Sequence, residues 1–405
     1  MDDKEILTIK KINHPITIIK YLKNLITKKR KSKIFFNFVS VVIVILILIL
    51  ILIIVILLNE QRHLIRKLDN IKYKEETIHL NLSNNNFEKV KIIKRLFNIK
   101  EDKNQNIINK NQIHISYSLD NNLIYPTLIS MISGLENNNN KINIIIFHLL
   151  LSHDFDKSKF EIFESLKDNY EVKINYYIIP HLFSFTKTWT SGTDCIYYKI
   201  FIPIIFPDLK RIIHLDGDTL IRKDLLEMYN LPFNDNYILG FPFYMPYVMD
   251  KFGINATHYI TVGCILYNLE KIYNDKKDVD LLQFTIKNNS KLSFPEQDAI
   301  NYIFYPNIGF LPLKYGIYMI GNHKIFERLS HNVRTSLNLR EGYEAVDDPS
   351  IIHFSCCWPK VWNNGSKNLF GDDNICLRYQ KEFYYYASKT KYYSIIYNTL
   401  YNNLK

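Results

Sequence analysis

Apolar and polar positions change rhythm three times along the chain. From Ile34 to Leu58 only Asn37 and Ser40 interrupt an apolar run, and Val41–Leu58 is unbroken Val, Ile and Leu. In a helix the whole run spans about 37 Å at about 1.5 Å per residue, which predicts one membrane-spanning helix over 34–58. A buried pair of strands would carry turn residues within the run, and a cleaved signal peptide would have a shorter apolar region followed by small residues; neither pattern is present. From Asn59 to about Lys110 the residues are charged and Asn-rich without alternation, which predicts a stem, partly helical around Glu60–Glu76. At Ile113 a compact rhythm begins. Ile113–Leu119, Ile142–Leu151 and Val172–Ile179 read as strands, with Tyr125–Leu135 and Lys157–Lys167 as helices between them. That β-α-β-α-β order predicts an α/β domain whose parallel strands end in a ligand-binding crevice. Asn374–Tyr386 reads as an amphipathic helix packing back on the sheet, and the residues after about 390 as a loose tail.

Charge supports the orientation of the apolar run. Of the net +11, residues 1–33 contribute +7, from ten Lys/Arg against three acids, so the remainder carries no basic stripe of the kind that binds nucleic acid. Seven Lys/Arg lie within 15 residues on the amino side of the run and four on the carboxy side, which predicts a cytoplasmic tail over 1–33 and a lumenal remainder. Asn81, Asn255, Asn288 and Asn364 stand in N-x-S/T sequons compatible with a lumen. The five cysteines, at 195, 264, 356, 357 and 376, form no CxxC pair and no Cys/His zinc spacing.

Neither GxGxxG nor GxxxxGK[ST] occurs, so a glycine cradle for phosphate is absent. The stretch Arg211-Ile212-Ile213-His214-Leu215-Asp216-Gly217-Asp218 offers a different device. At strand spacing Asp216 and Asp218 point to one side and can share a cation, and carboxylate oxygens suit Mn²⁺ or Mg²⁺. The same Asp-Gly pair is also strong turn chemistry.

Tyr197–Pro207, the apolar strand after it and Asp216-x-Asp218 together resemble glycosyltransferase family 8, the retaining nucleotide-sugar transferases that include glycogenin, bacterial lipopolysaccharide galactosyltransferases and plant galacturonosyltransferases. The resemblance extends over about 113–362. It implies donor contacts from Ser118, Asp120 and Asn122 after the first strand, from Lys199 where the family commonly has Arg, from Asp216, Gly217 and Asp218, and from Gly263 in Thr261-Val262-Gly263. It implies a sugar-contacting acid at Glu296 and an amide under the anomeric carbon at Gln297, with Asp298 a structural carboxylate at a helix start. His353, at the end of another strand, is implied to complete a metal shell with Asp216 and Asp218, and Lys360 to meet the diphosphate. Leu123 stands where the family often has an aromatic that stacks on the base, Thr261 where it has Asn, and Cys356 where it has Gly.

The expectation is therefore an α/β, Rossmann-like domain of the GT-A type with a mixed sheet over 111–390, preceded by a cytoplasmic tail (1–33), one transmembrane helix (34–58) and a stem (59–110), and followed by a tail (391–405). The resemblance implies Mn²⁺ (or Mg²⁺) as cofactor, a UDP-sugar donor, a glycan or glycoconjugate acceptor, and a type II place in the Golgi or another secretory membrane. Two other readings stay open: a catalytically silent sugar-nucleotide or glycan-binding membrane protein of the same fold, and a self-glucosylating primer, against which the anchor argues.

Overall fold

The computed structural model describes residues 112–138, 144–179, 194–243, 259–288, 291–317, 339–355, 357–358, 360–362, 367–368 and 375–401, together with Lys20 and Glu327. The chain divides into two compact units, Met1–Lys74 and Glu75–Lys405. The expected tail, anchor and stem lie outside the described residues apart from Lys20. Among the described residues no helix is long and apolar enough to cross a membrane.

The second unit is built on a seven-stranded mixed sheet of order β3-β2-β1-β4-β7-β6-β8. Its strands are β1 (Gln112–Leu119), β2 (Ile144–Leu151), β3 (Val172–Ile178), β4 (Arg211–Asp216), β6 (Ile238–Pro242), β7 (Ile260–Asn268) and β8 (Ile308–Phe310). β3, β2, β1 and β4 run parallel, and β7 lies antiparallel to both β4 and β6. β2 and β7 are almost wholly buried, so they read as continuous apolar runs rather than alternating ones. One core cluster includes Leu128, Ile129 and Ile132 of the helix Ile124–Glu136 and Phe383 of the helix Ile375–Ala387. The other gathers the segment 194–205 and the helices Lys277–Asn288 and Pro295–Phe304. A smaller sheet of order β5-β10-β9 joins Thr219–Ile221, Ile351–His353 and Tyr315–Ile317.

The β-α-β-α-β start and the mixed sheet match the expectation, and two elements do not. Lys157–Lys167 is a five-residue helix, Phe160–Glu164, between two 3₁₀ turns. The Ser165 hydroxyl donates to the Ile162 carbonyl at 2.7 Å, offering the backbone a local alternative to the helical ladder. The residues after 390 are no loose tail up to Tyr401: a short helix, Tyr393–Ile396, and a π-helical turn, Tyr397–Tyr401, follow, and Ile396 and Leu400 are buried in the core. Their spacing of four puts both on one helical face, too short a pattern to register as amphipathic on its own.

Candidate active site

The parallel pairing of β1 with β4 sets their carboxyl ends side by side, with Ser118 in register with Asp216. β4 ends at Asp216, and Gly217-Asp218 form the turn into β5. The same-face strand argument therefore fails for Asp218: the turn and the acidic pair are one feature. Gly217 packs so closely on the helix Ile124–Glu136 that a Cβ there would run into Thr127 Oγ1. The chain then returns 135 residues later, because antiparallel β10 places His353 opposite Thr219 and the Phe354 N–H donates to the Asp218 carbonyl at 2.9 Å. His353 Nε2 lies 3.2 Å from Asp218 Oδ1 and 3.5 Å from Asp216 Oδ2, and one ligand atom from each of the three residues falls within 4.8 Å of the others.

Gly263 makes room for that ring. Pairing of β6 with β7 jumps from Gly240↔Ile265 to Phe241↔Thr261, a bulge that takes Val262, Gly263 and Cys264 out of the β6–β7 ladder. Bulges of this kind re-aim backbone beside sites. A Cβ on Gly263 would stand 2.5 Å from His353 Nδ1 and 3.0 Å from Asp216 Oδ2. One imidazole and two carboxylates, gathered at strand ends around a glycine, fit a hard divalent ion.

Two lysines answer the two acids. Lys199, expected on the donor, is buried on the 3₁₀ helix Asp194–Phe201; its Nζ lies 2.8 Å from Asp216 Oδ1 and 3.8 Å from Glu296 Oε1. Lys360 Nζ donates to Asp218 Oδ2 at 2.7 Å. Burial is the largest influence on both aspartates and would raise them. The charges of Lys199 and of Lys360 with His353 overcome it, holding Asp216 and Asp218 well below the usual carboxylate range. Glu296 goes the other way: burial pushes its carboxyl up and Lys199 only partly offsets this.

The remaining expected residues line the same end of the sheet. Ser118 is buried and among the described residues its Oγ has no hydrogen-bond partner, an open group in the β1–β4 crevice. Asp120 caps a 3₁₀ turn by accepting from the Asn122 N–H at 2.9 Å and also receives the Asn122 amide at 3.3 Å, so both sit on a preformed loop. Glu296 and Gln297 open the helix Pro295–Phe304, and Gln297 Oε1 accepts from the Val262 N–H at 3.3 Å, beside Gly263. Thr261 is buried opposite Phe241, Leu123 and Tyr125 pack against the core, and Cys356 lies outside the described residues. Asp298 is structural as expected, accepting from the Ser293 and Phe294 N–H groups.

Sequence reasoning passed over two partners. His214 is fully buried with Nε2 3.6 Å from Asp216 Oδ1 and Nδ1 3.1 Å from Ser116 Oγ, so it backs the metal-side carboxylate. Its position two residues before Asp216 on one strand was the available signal. Tyr259 is the other; it lies upstream of the Thr261-Val262-Gly263 block with nothing in the local pattern to distinguish it.

Comparison with known proteins agrees with this geometry. The family model "Glycosyl transferase family 8" matches residues 114–365. General stress protein A of Bacillus subtilis is 24% identical over 50% of this chain and 68% of its own length. Lipopolysaccharide 1,2-glucosyltransferase of Escherichia coli is 25% identical over 70% of this chain and 86% of its own. In fold, the galactosyltransferase LgtC, solved with donor and acceptor sugar analogues, aligns with TM-score 0.56 at 15% identity, covering 69% of this chain and 96% of that one. The bifunctional glycosyltransferase WbbM aligns with TM-score 0.57 at 18% identity over 72% of this chain, which spans only 52% of WbbM. With an Asp-Gly-Asp turn and a returning histidine gathered at the carboxyl ends of a mixed sheet, this chain belongs to glycosyl transferase family 8 and is a glycosyltransferase.

Proposed function

We propose that the protein is an amino-terminally anchored, type II enzyme of a secretory membrane such as the Golgi. It transfers a hexose from a nucleotide-sugar, a UDP-sugar in the first instance, to a hydroxyl of a glycan or glycoconjugate, with retention at the anomeric carbon. The observation that carries the reading is the convergence of Asp216, Asp218 and His353 beside two lysines at the mouth of the sheet. Asp216, Asp218 and His353 would hold Mn²⁺ (or Mg²⁺), which when bound supplies positive charge to the diphosphate as it leaves.

The chain's own groups do the rest. Lys360, 2.7 Å from Asp218, adds positive charge where the diphosphate sits. Lys199 bridges Asp216 and Glu296 and so holds the metal side and the sugar side in fixed relation. Ser118 Oγ, Asp120 and Asn122 offer hydrogen bonds to the nucleoside, and the missing side chains at Gly217 and Gly263 make room for Thr127 and the His353 ring, which sets both backbones beside the donor. Glu296 contacts the sugar, and the Gln297 amide lies under its anomeric carbon. The apolar run 34–58 and its flanking charges support the membrane placement.

A donor-turnover screen over UDP- and GDP-sugars, with Mn²⁺, with Mg²⁺ and with chelator, tests this. Metal-dependent release of UDP from one of them is expected. Tight nucleotide binding with no turnover of any donor would instead favour a silent binding protein.

A further inference from the structure

The Gln297 side chain is held at both ends, and what holds it also decides which end is which. Its Nε2 donates to Tyr259 Oη at 3.0 Å, and its Oε1 accepts from the Val262 N–H at 3.3 Å. Tyr259 Oη donates in turn to Asp298 Oδ1 at 2.6 Å, while Asp298 Oδ2 receives the Ser293 and Phe294 N–H groups at 2.7 and 2.9 Å. Tyr259 and Asp298 are each about 1% exposed, so the hydrogen bond between them is shut off from water.

The direction of the chain follows from what each group can give. A carboxylate only accepts, so the Tyr259 proton must point at Asp298. The phenol oxygen is then left as an acceptor toward Gln297, and the NH₂ end of the amide must face it. That leaves the carbonyl oxygen on the side of Val262 and Gly263, the glycine whose Cα borders His353 and Asp216. Asn301 fastens the same helix to β7, accepting from the Ile260 N–H at 2.8 Å and donating to the Ile260 and Gln297 carbonyls, so the amide cannot escape by helix movement.

We infer that Asp298, acting through Tyr259, is a positioning residue that turns the Gln297 carbonyl oxygen, and not its NH₂, toward the donor sugar. The inference rests on the proposed role of Gln297 in sugar transfer. Its physical content is electrostatic: positive charge develops at the anomeric carbon as the diphosphate departs, and a carbonyl dipole aimed there stabilises it where an NH₂ would oppose it. Asp298 thus has a use beyond closing the first turn of a helix.

Asp298→Asn separates the two uses. An asparagine oxygen still accepts from Ser293 and Phe294, so the helix start survives, but its NH₂ now donates to Tyr259. The phenol proton then swings to Gln297 and the amide reverses. Expected are a melting temperature close to wild type, Val262 N–H exchange about tenfold faster or more because its acceptor is gone, and kcat about tenfold lower or more with donor KM within about threefold. Tyr259→Phe should lower kcat similarly, and neither change should add to Gln297→Ala. Unchanged Val262 exchange in Asp298→Asn, or a full further loss in the Gln297→Ala background, would overturn the relay. Absence of nucleotide-sugar turnover in the wild type would sink the transferase reading instead, and the exchange measurement would still decide the orientation.

Discussion

Gly263 and His353 share one space: the glycine's missing side chain is where the imidazole lies, so that a Cβ at 263 would stand 2.5 Å from Nδ1. The contact is with a ring fixed at the end of β10 rather than with a flexible tip, so it cannot be relieved cheaply. Gly263→Ala is expected to push the ring off the two aspartates and weaken Mn²⁺ binding about tenfold or more, measured by titration with electron paramagnetic detection of free ion. An unchanged dissociation constant would mean that the ring has another place from which to bind.

Lys199 stands between two partly buried acids, Asp216 and Glu296. Lys199→Met keeps the length and apolar stem but leaves those carboxylates without their cation, a loss on the order of 3 kcal/mol. Added Mn²⁺ restores positive charge beside Asp216, so the metal-induced rise in melting temperature should be larger in the variant than in the wild type. Equal rises in the two proteins would count against the counter-ion role.

Acid should weaken the sheet at a second, unrelated place. On its face His114 Nδ1 meets His148 Nε2 at 2.9 Å, and His148 Nδ1 meets the Tyr177 hydroxyl at 3.1 Å, with Phe206 edge-on. Burial, then the charge of Lys173, pushes His114 from 6.5 down to about 4. Burial, His114 and Lys173 lower His148 as well. Both are held neutral in the fold and bind protons more readily when unfolded. Their contribution is therefore full above about pH 6.5 and lost as pH falls from there through about 4, on the order of 2 kcal/mol. Denaturant melts of wild type and His148→Phe between pH 7.5 and pH 4.5 are the check, with a shallower acid slope expected in the variant.

The carboxy-terminal segment should matter for stability. Ile396 is fully buried, and the helix Ile375–Ala387 before it is tied down by Arg222, whose Nε donates to both Glu382 oxygens at 2.9 and 3.1 Å and whose guanidinium also reaches Asp348 and the Pro349 carbonyl. Ile396→Ala is expected to cost about 3 kcal/mol in urea unfolding. A loss under about 0.5 kcal/mol, the range of surface substitutions, would show that the segment is dispensable.

How much of this was legible beforehand depends on the distance over which each feature is written. The first three strands and the helix Ile124–Glu136 were, because their apolar rhythm is local. His353 was found by resemblance and by order along the chain, not by any local pattern. Lys199 was ambiguous: a lysine in an apolar stretch is written the same way whether it faces solvent or a carboxylate. His214 and Tyr259 were passed over, one because a histidine in an apolar strand reads as core, the other because its partners, Asp298 and Gln297, lie almost forty residues away.

The sequence by itself determined the α/β class, the apolar run near the amino terminus and the family, since periodicity and ordered motifs are carried by neighbouring residues. Only the tertiary structure decided that Asp218 belongs to a turn, that a bulge at Gly263 houses the His353 ring, and that two lysines hold the acids ionised. Those outcomes depend on strand pairing, which brings together residues as far apart as Thr219 and His353. Burial then multiplies the strength of whatever charges it gathers, and neither effect leaves a mark on any one stretch of chain.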